Sequence, residues 1–167
     1  MRGLLIGRFQ PFHKGHLSII KKILKEADEL FIVIGSSQYK NTKENPLSAN
    51  EREEMIKRVL DSGGIKNYKI FKVPDINDDD LYPSHAMKIV PSFDVVYSGN
   101  DLVQRLFTAA EKKVKKIKHI RRTAYSGTEI RKRIIEGGDW EQLVPSAVVE
   151  YLTEIEWVER VKKLSSL

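Results

Sequence analysis

The chain has 167 residues, 41% of them hydrophobic, and a formal net charge of +6, which predicts a single domain over residues 1–167 with a substantial core. It contains no cysteine, which excludes disulfides, zinc–thiolate sites and cysteine nucleophiles. Its longest apolar run, LFIVI at 30–34, is too short to cross a membrane. The N-terminus lacks a signal-peptide pattern. We therefore expect a cytoplasmic protein with a polyanionic partner, either a nucleic acid or a phosphorylated small molecule.

Five short runs with apolar residues predict β-strands, and the first of them is ended by a turn signal. They lie at 3–9, 30–38, 68–73, 94–100 and, with a weaker pattern, 114–120. The second run is apolar without interruption from 30 to 34, which is typical of a strand covered on both faces.

Segments with helical periodicity alternate with these strands. They lie at 16–29, 48–64, 101–113, 126–138 and 146–164. Two of them open with an S-x-x-E capping box, formed by Ser48 with Glu51 and by Ser126 with Glu129. Alternating strands and helices predict an α/β fold, a parallel sheet with helices on both faces, followed by C-terminal helices. Ligands of such sheets bind outside the carboxyl ends of the strands.

The first predicted strand leads directly into GRFQPFHKGH, residues 7–16, at the mouth of a helix that starts near Lys14. The first turn of a helix presents unpaired N–H groups and a partial positive charge, and Gly15 lets the backbone approach a ligand closely. Two donors and two fixed charges are added by His13, His16, Arg8 and Lys14. The pattern predicts a phosphate site at a helix N-terminus, unlike a P-loop or a Rossmann fingerprint, whose glycine patterns are absent.

A second helix start has similar chemistry in YSGTEIR, residues 125–131. Ser126 caps the helix, Thr128 lies in its first turn and Arg131 follows within a turn. Taken alone, this stretch also fits a well-capped surface helix, and the two histidines also fit ordinary surface or core positions. A metal centre is not expected, because no cysteine exists and no carboxylate lies at ligand spacing near the histidines.

Taken together, five stretches resemble the archaeal nicotinamide-nucleotide adenylyltransferase family of the HxGH nucleotidyltransferase superfamily. They are MRGLLIGRFQPFHKGH, NPLSANER, FDVVYSGN, YSGTEIRKR and VPSAVVEYLTEI, in the family's order over nearly the whole chain. HKGH matches the HxGH signature and SGTEIR matches S/T-x-x-R. The resemblance implies transfer of AMP from ATP to the 5′-phosphate of nicotinamide mononucleotide (NMN), which gives NAD and pyrophosphate. It also implies a Rossmann-like fold, Mg²⁺ carried on the phosphates and a homo-oligomer, commonly a hexamer.

The resemblance also assigns residues to each step and substrate. The catalytic positions are Arg8, His13, His16 and Arg131. The ATP and phosphate positions are Gly7, Arg8, Lys14, Gly15, His16, Ser98, Gly99, Asn100, Ser126, Thr128 and Arg131. The NMN positions are Phe9, Gln10, Ser36 and Tyr82. The chain departs from the family pattern in two places: the segment 76–87 has a tyrosine where relatives often have tryptophan, and TKENP lacks an arginine before the proline.

The residue types predict a reaction that depends on positioning and charge stabilisation, because the attacking phosphate needs no general base. No covalent intermediate is expected. Two alternatives remain open. One is adenylyl transfer to another phosphorylated acceptor, phosphopantetheine or flavin mononucleotide. The other is a nucleic-acid-binding module, suggested by the basic tract KKVKKIKHIRR at 112–122, although the helix-turn-helix, RNP and OB patterns are absent.

Overall fold

A computed structural model describes residues 1–118 and 124–167. Five strands form one parallel sheet in the order β3-β2-β1-β4-β5. They are β1 (Arg2–Gly7), β2 (Glu29–Ile34), β3 (Tyr68–Lys72), β4 (Val95–Ser98) and β5 (Lys113–Lys116). The helices are α1 (Lys14–Ile23), α2 (Ala49–Ser62), α3 (Tyr82–Ile89), α4 (Asp101–Ala109), α5 (Gly127–Ile135), α6 (Ser146–Glu154) and α7 (Trp157–Ser165). Short 3₁₀ turns lie at Asp79–Leu81 and Glu141–Leu143.

The central strand β1 is held on both edges by apolar neighbours. Leu4 pairs with Phe31 of β2 on one side and with Val96 of β4 on the other, and all three are buried in a cluster that includes Phe107. Removing such a side chain from water stabilises the fold by about 1.5–3 kcal/mol. The predicted Rossmann-like sheet is therefore confirmed.

The direction of chain progress across the sheet reverses between β1 and β4. Right-handed crossovers in opposite directions place α1 and α4 on opposite faces of the sheet. Such a reversal marks the position at which ligands of open α/β sheets bind. The carboxyl ends of the two strands at the reversal are Gly7 and Ser98, and both precede segments that the sequence assigns to substrate binding.

The described residues group into two compact units. The first contains the whole sheet and comprises Met1–Gly7, Ile19–Ser37 and the described residues from Asn67 to 118. The second comprises Arg8–Ser18, Gln38–Lys66 and the described residues from 124 to Leu167. Among the described residues, no helix combines the length and the apolar character that crossing a membrane requires.

Several predicted elements differ from the structure in their bounds. The helix expected over 146–164 is two helices, because Glu156 takes a left-handed conformation (φ 55°) between α6 and α7. The segment 76–87, for which no element was predicted, forms a 3₁₀ turn capped by Asp78 and then most of α3. The weak strand expected over 114–120 runs over Lys113–Lys116. The end of that predicted strand, 119–120, and the end of the basic tract, 119–122, lie outside the described residues.

Candidate active site

The HKGH segment caps α1 with its own imidazoles. His13 stands at the N-cap, where its carbonyl accepts from Leu17 N–H at 3.2 Å. Its Nδ1 accepts from the backbone N–H of His16 (3.3 Å), while Nδ1 of His16 accepts from the backbone N–H of His13 (3.1 Å). The helix mouth therefore keeps fewer unpaired amides than the sequence suggested, because two N–H groups are already bound to the histidines.

The two imidazoles lie against each other in an aromatic surround. Their ring centroids are 3.6 Å apart, with Phe9 at 4.7 Å from His16 and Tyr125 at 6.4 Å from His13. A Cβ added to Gly15 would lie 2.9 Å from ring atoms of His13 and 3.1 Å from Cβ of Tyr125. Gly15 is therefore required by the packing of the His13 ring, a reason that differs from the expected close approach to a ligand.

Arg131, the last residue of the S/T-x-x-R pattern, is anchored in the same unit. Its Nη1 donates to the carbonyl of Gln10 at 2.7 Å. Burial, and then the charge of Arg8, lower the pKa of Arg131, and Glu44 opposes the shift. Two cationic side chains near each other, one of them buried, favour an anion as their partner. The structure thus brings His13, His16 and Arg131 into one compact unit.

Gly127 makes the Arg131–Gln10 contact possible. A Cβ at Gly127 would lie 2.8 Å from the Gln10 carbonyl oxygen and 2.9 Å from Arg131 Nη1. Ser126 precedes it as N-cap of α5 and accepts from Glu129 N–H at 3.1 Å. The predicted reciprocal hydrogen bond, from Ser126 N–H to the Glu129 carboxylate, is wrong. Ser126 N–H donates to the carbonyl of Ala124, and the Glu129 carboxylate pairs with Arg133. Thr128 is exposed in the first turn of the helix.

The backbone after Arg8 is fixed by two buried polar side chains. The Gln10 amide donates to the carbonyl of Leu47 and accepts from its N–H, both at 2.9 Å. The fully buried Arg52 donates to the carbonyls of Arg8 (3.0 Å) and Ser48 (3.2 Å). The Gln10 side chain thus binds the Leu47 backbone, and the assignment of Gln10 to the NMN site stays a prediction. Arg8 and Lys14 project into solvent.

The loop after β4 is organised by its own side chains. The Ser98 hydroxyl accepts from Asn100 N–H at 3.0 Å, and the Asn100 side chain caps α4 by accepting from Val103 N–H at 3.1 Å. Gln104 donates to the Ser98 carbonyl at 2.8 Å. Gly99 lies between Ser98 and Asn100 in the sheet-containing unit. These predicted adenylate-side residues are therefore held in a fixed turn at the end of β4.

The remaining predicted NMN residues in the sheet-containing unit follow β2 and β3. Ser36 is buried, has a left-handed backbone (φ 49°) and donates to Asp75 at 2.7 Å. Tyr82 packs edge-on against Phe107 at 6.5 Å. Burial, and then the charge of Asp75, raise the pKa of Tyr82 to about 12. The Tyr82 ring thus contributes to the core at the start of α3.

Four contributors to this arrangement were missed by sequence reasoning. They are the Leu47 backbone, Arg52, Tyr125 and Gly127. Every residue carries a carbonyl, so the sequence offers no signal for which one a buried guanidinium will select. Gly127 did offer a signal, because glycine is a poor helix former and here it directly follows a capping serine.

Comparison with known proteins places these features in a family. Residues 4–133 match the family model described as cytidylyltransferase-like. The chain is 46% identical over 165 residues to the nicotinamide-nucleotide adenylyltransferase of Thermoplasma volcanium, with 99% of this chain and 93% of that protein covered. It is 47% identical over 164 residues to the enzyme of the same name from Methanolobus tindarius, covering 98% and 94%.

A solved structure from Francisella tularensis shows the same fold. It is described as a bifunctional NMN adenylyltransferase/ADP ribose pyrophosphatase complexed with AMP and a manganese ion. The TM-score is 0.81 at 23% identity, with 99% of this chain covered. The chain spans about half (52%) of that protein.

Proposed function

The chain belongs to the cytidylyltransferase-like family and, within it, to the nicotinamide-nucleotide adenylyltransferases, and from this we propose that it transfers AMP from ATP to NMN. The observation that carries the proposal furthest is that the HKGH histidines and Arg131 lie in one compact unit, with Arg131 bonded to the Gln10 carbonyl three residues before His13. Both signature motifs of the family are present and each stands at the start of a helix.

The reaction needs no proton transfer at the nucleophile. A 5′-phosphate oxygen of NMN attacks the α-phosphorus of ATP, and a new P–O bond forms there. The bond from that phosphorus to the oxygen shared with the β-phosphate breaks, and pyrophosphate leaves with the electron pair. Phosphoryl transfer of this type depends mainly on alignment and on stabilising charge on the phosphate oxygens.

The chain's own groups are suited to that task. His13 and His16 would donate to phosphate oxygens at the mouth of α1, where the helix dipole also favours an anion. Arg131 and Arg8 would bind the triphosphate and the incoming phosphate, since guanidinium groups bind phosphates through two parallel hydrogen bonds. Lys14 adds a further positive charge at the same helix start.

We also propose Mg²⁺ as the cofactor. Within residues 1–118 and 124–167, no three histidine or acidic side chains come together as a metal cage. We expect the ion to be held by phosphate oxygens and water, which is the coordination that Mg²⁺ commonly keeps with nucleotides. Its charge would offset that of the triphosphate. We further propose that the enzyme acts in the cytoplasm as a homo-oligomer, with a hexamer as the expected size.

The test is an assay of purified protein with ATP, Mg²⁺ and NMN, with NAD and pyrophosphate measured separately. We expect equal amounts of both products. Parallel reactions replace NMN with flavin mononucleotide or phosphopantetheine. If flavin mononucleotide or phosphopantetheine is adenylylated and NMN is not, the proposed acceptor is wrong but the proposed adenylyl transfer stands. If none of the three acceptors yields pyrophosphate, the proposed function is wrong.

A further inference from the structure

We propose that HKGH is a capping box built from two imidazoles, and that this box fixes both rings as neutral donors through Nε2. The usual capping box pairs a serine or threonine at the N-cap with a glutamate or glutamine three residues later. Here His13 takes the first position and His16 the second. The use of the two donors in catalysis rests on the proposed function, whereas the box itself does not.

The tautomer follows from the direction of the two hydrogen bonds. A backbone N–H can only donate, so each Nδ1 must offer a lone pair to accept it. A neutral imidazole whose Nδ1 is an acceptor carries its proton on Nε2. Both rings therefore have the same tautomer, and their stacking at 3.6 Å places two N–H donors in close proximity. Such a pair suits an oxyanion and does not suit a metal ion, which needs a lone pair on the coordinating nitrogen.

The box also changes what the helix mouth offers to a phosphate. Within the described part of the chain, the N–H groups of Lys14 and Gly15 are the first-turn amides without a hydrogen bond. The histidine edges thus replace two amides that an ordinary anion site would use. The two rings bind the backbone through Nδ1 and present Nε2 as a donor, which explains why a side chain with two distinct nitrogens stands at each position.

The tautomer is tested directly by NMR on protein labelled with ¹⁵N at histidine, near neutral pH and without substrate. The signals of His13 and His16 are assigned by their loss in His13→Ser and His16→Gln. We expect both rings to show a protonated Nε2 and an unprotonated Nδ1. A protonated Nδ1 on either ring, in a neutral or a charged imidazole, would overturn the proposal.

A swap of the box separates capping from donation. The double variant His13→Ser, His16→Glu rebuilds an ordinary capping box, and the glutamate carboxylate offers no donor in place of the His16 Nε2–H. We expect its urea unfolding midpoint to match the wild type, whereas His13→Ala, His16→Ala unfolds at lower urea. Equal midpoints for the two double variants would contradict the box. The swapped variant should form NAD at least about 100-fold more slowly, the typical loss for one preorganised donor.

The two proposals fail in different ways. A wild-type protein that forms no NAD while both rings show the Nε2–H tautomer would refute the function and leave the box intact. A swapped variant that folds like the wild type and forms NAD at the wild-type rate would refute donation by the histidines and leave the adenylyl-transfer reaction intact.

Discussion

Two buried polar side chains in and near the GRFQPFHKGH segment form hydrogen bonds with backbone atoms. Gln10 is 4% exposed and Arg52 is fully buried, and both form hydrogen bonds with main-chain groups of Leu47, Arg8 and Ser48. A buried polar group is costly unless it is hydrogen-bonded, so these pairings fix one conformation of the chain that follows β1. Their contribution to the site is positional.

Gln10→Ala tests this role. The substitution leaves the N–H and carbonyl of fully buried Leu47 without their side-chain partner. We expect the free energy of unfolding to fall by about 1–3 kcal/mol, measured by urea denaturation. The matched control is Gln142→Ala at an exposed position, which should change stability by less than about 0.5 kcal/mol. Equal losses of stability in the two variants would contradict the positional role of Gln10.

Gly127→Ala tests the anchoring of Arg131. Its new Cβ would meet both atoms of the Arg131–Gln10 hydrogen bond at under 3.0 Å. A hydrogen bond to a charged group contributes about 1.5–3 kcal/mol, so we expect kcat/KM for ATP to fall roughly 10- to 150-fold. Gly63→Ala is the control, since its Cβ would meet its neighbours at 3.5 Å or more. Unchanged kinetics in folded Gly127→Ala would show that Arg131 does not depend on this anchor.

At the scale of elements, the start of α2 is joined to α7 through one carboxylate. Ser48 and Glu51 form the complete capping box that the sequence predicts. The same Glu51 carboxylate accepts hydrogen bonds from both terminal nitrogens of Arg160, at 2.7 and 2.9 Å. Burial alone would raise the pKa of Glu51, but the hydrogen bonds from Arg160 and Ser48 outweigh it and hold the pKa below its ordinary value.

A pH dependence of stability follows from that lowered pKa. A carboxyl whose pKa is lower in the folded state stabilises the fold fully above its unfolded pKa, about 4.3. The contribution is lost as the pH falls through the folded value. We therefore expect wild type to lose more stability than Glu51→Gln between pH 6 and pH 3. Urea denaturation across that range measures the difference, and parallel curves for the two proteins would contradict the assignment. The control is Glu150→Gln at an exposed position of α6, which should follow the wild-type curve.

How far the elements could be predicted depends on whether their determinants are local. The Ser48 box was predictable because both of its partners lie within one turn. The same pattern at Ser126 was only half correct, because Arg133 competes for Glu129 from the next turn. The break at Glu156 could not be predicted, since no glycine or proline marks it. No element was predicted around Asp78–Tyr82, because three consecutive aspartates do not show which of them caps a turn or where the next helix starts.

At the scale of the whole molecule, the net charge of +6 does not by itself identify a partner. In the basic tract, Lys115 is paired with Glu26 at 2.9 Å, and Glu26 also accepts from Tyr97 at 2.6 Å. The hydrogen bond from Tyr97, and then that from Lys115, lower the pKa of Glu26. Lys115 of the tract is therefore neutralised by an ion pair with Glu26, while Lys116 and Lys118 are exposed.

Lys116→Gln combined with Lys118→Gln separates an enzyme from a nucleic-acid binder. If these lysines form only a solvated face, the turnover of ATP and NMN should stay within about twofold of wild type. Duplex DNA and RNA binding is measured in parallel at two salt concentrations, because phosphate contacts make binding salt-dependent. Tight, salt-sensitive binding that the double substitution abolishes would instead support a nucleic-acid function.

The strand order also determines when each edge of the sheet is covered during synthesis. β1 is the first strand made, but its partner β4 begins at Val95, well after β2 and β3 have been completed. At about 5–20 residues per second, the 22 residues between Lys72 and Val95 take roughly 1–5 s to synthesise. During that interval β1 is an edge strand of a nascent β1–β2–β3 sheet, and an open edge can pair with another chain. The strand order thus leaves the edge of β1 open on the ribosome-bound chain until β4 has been made.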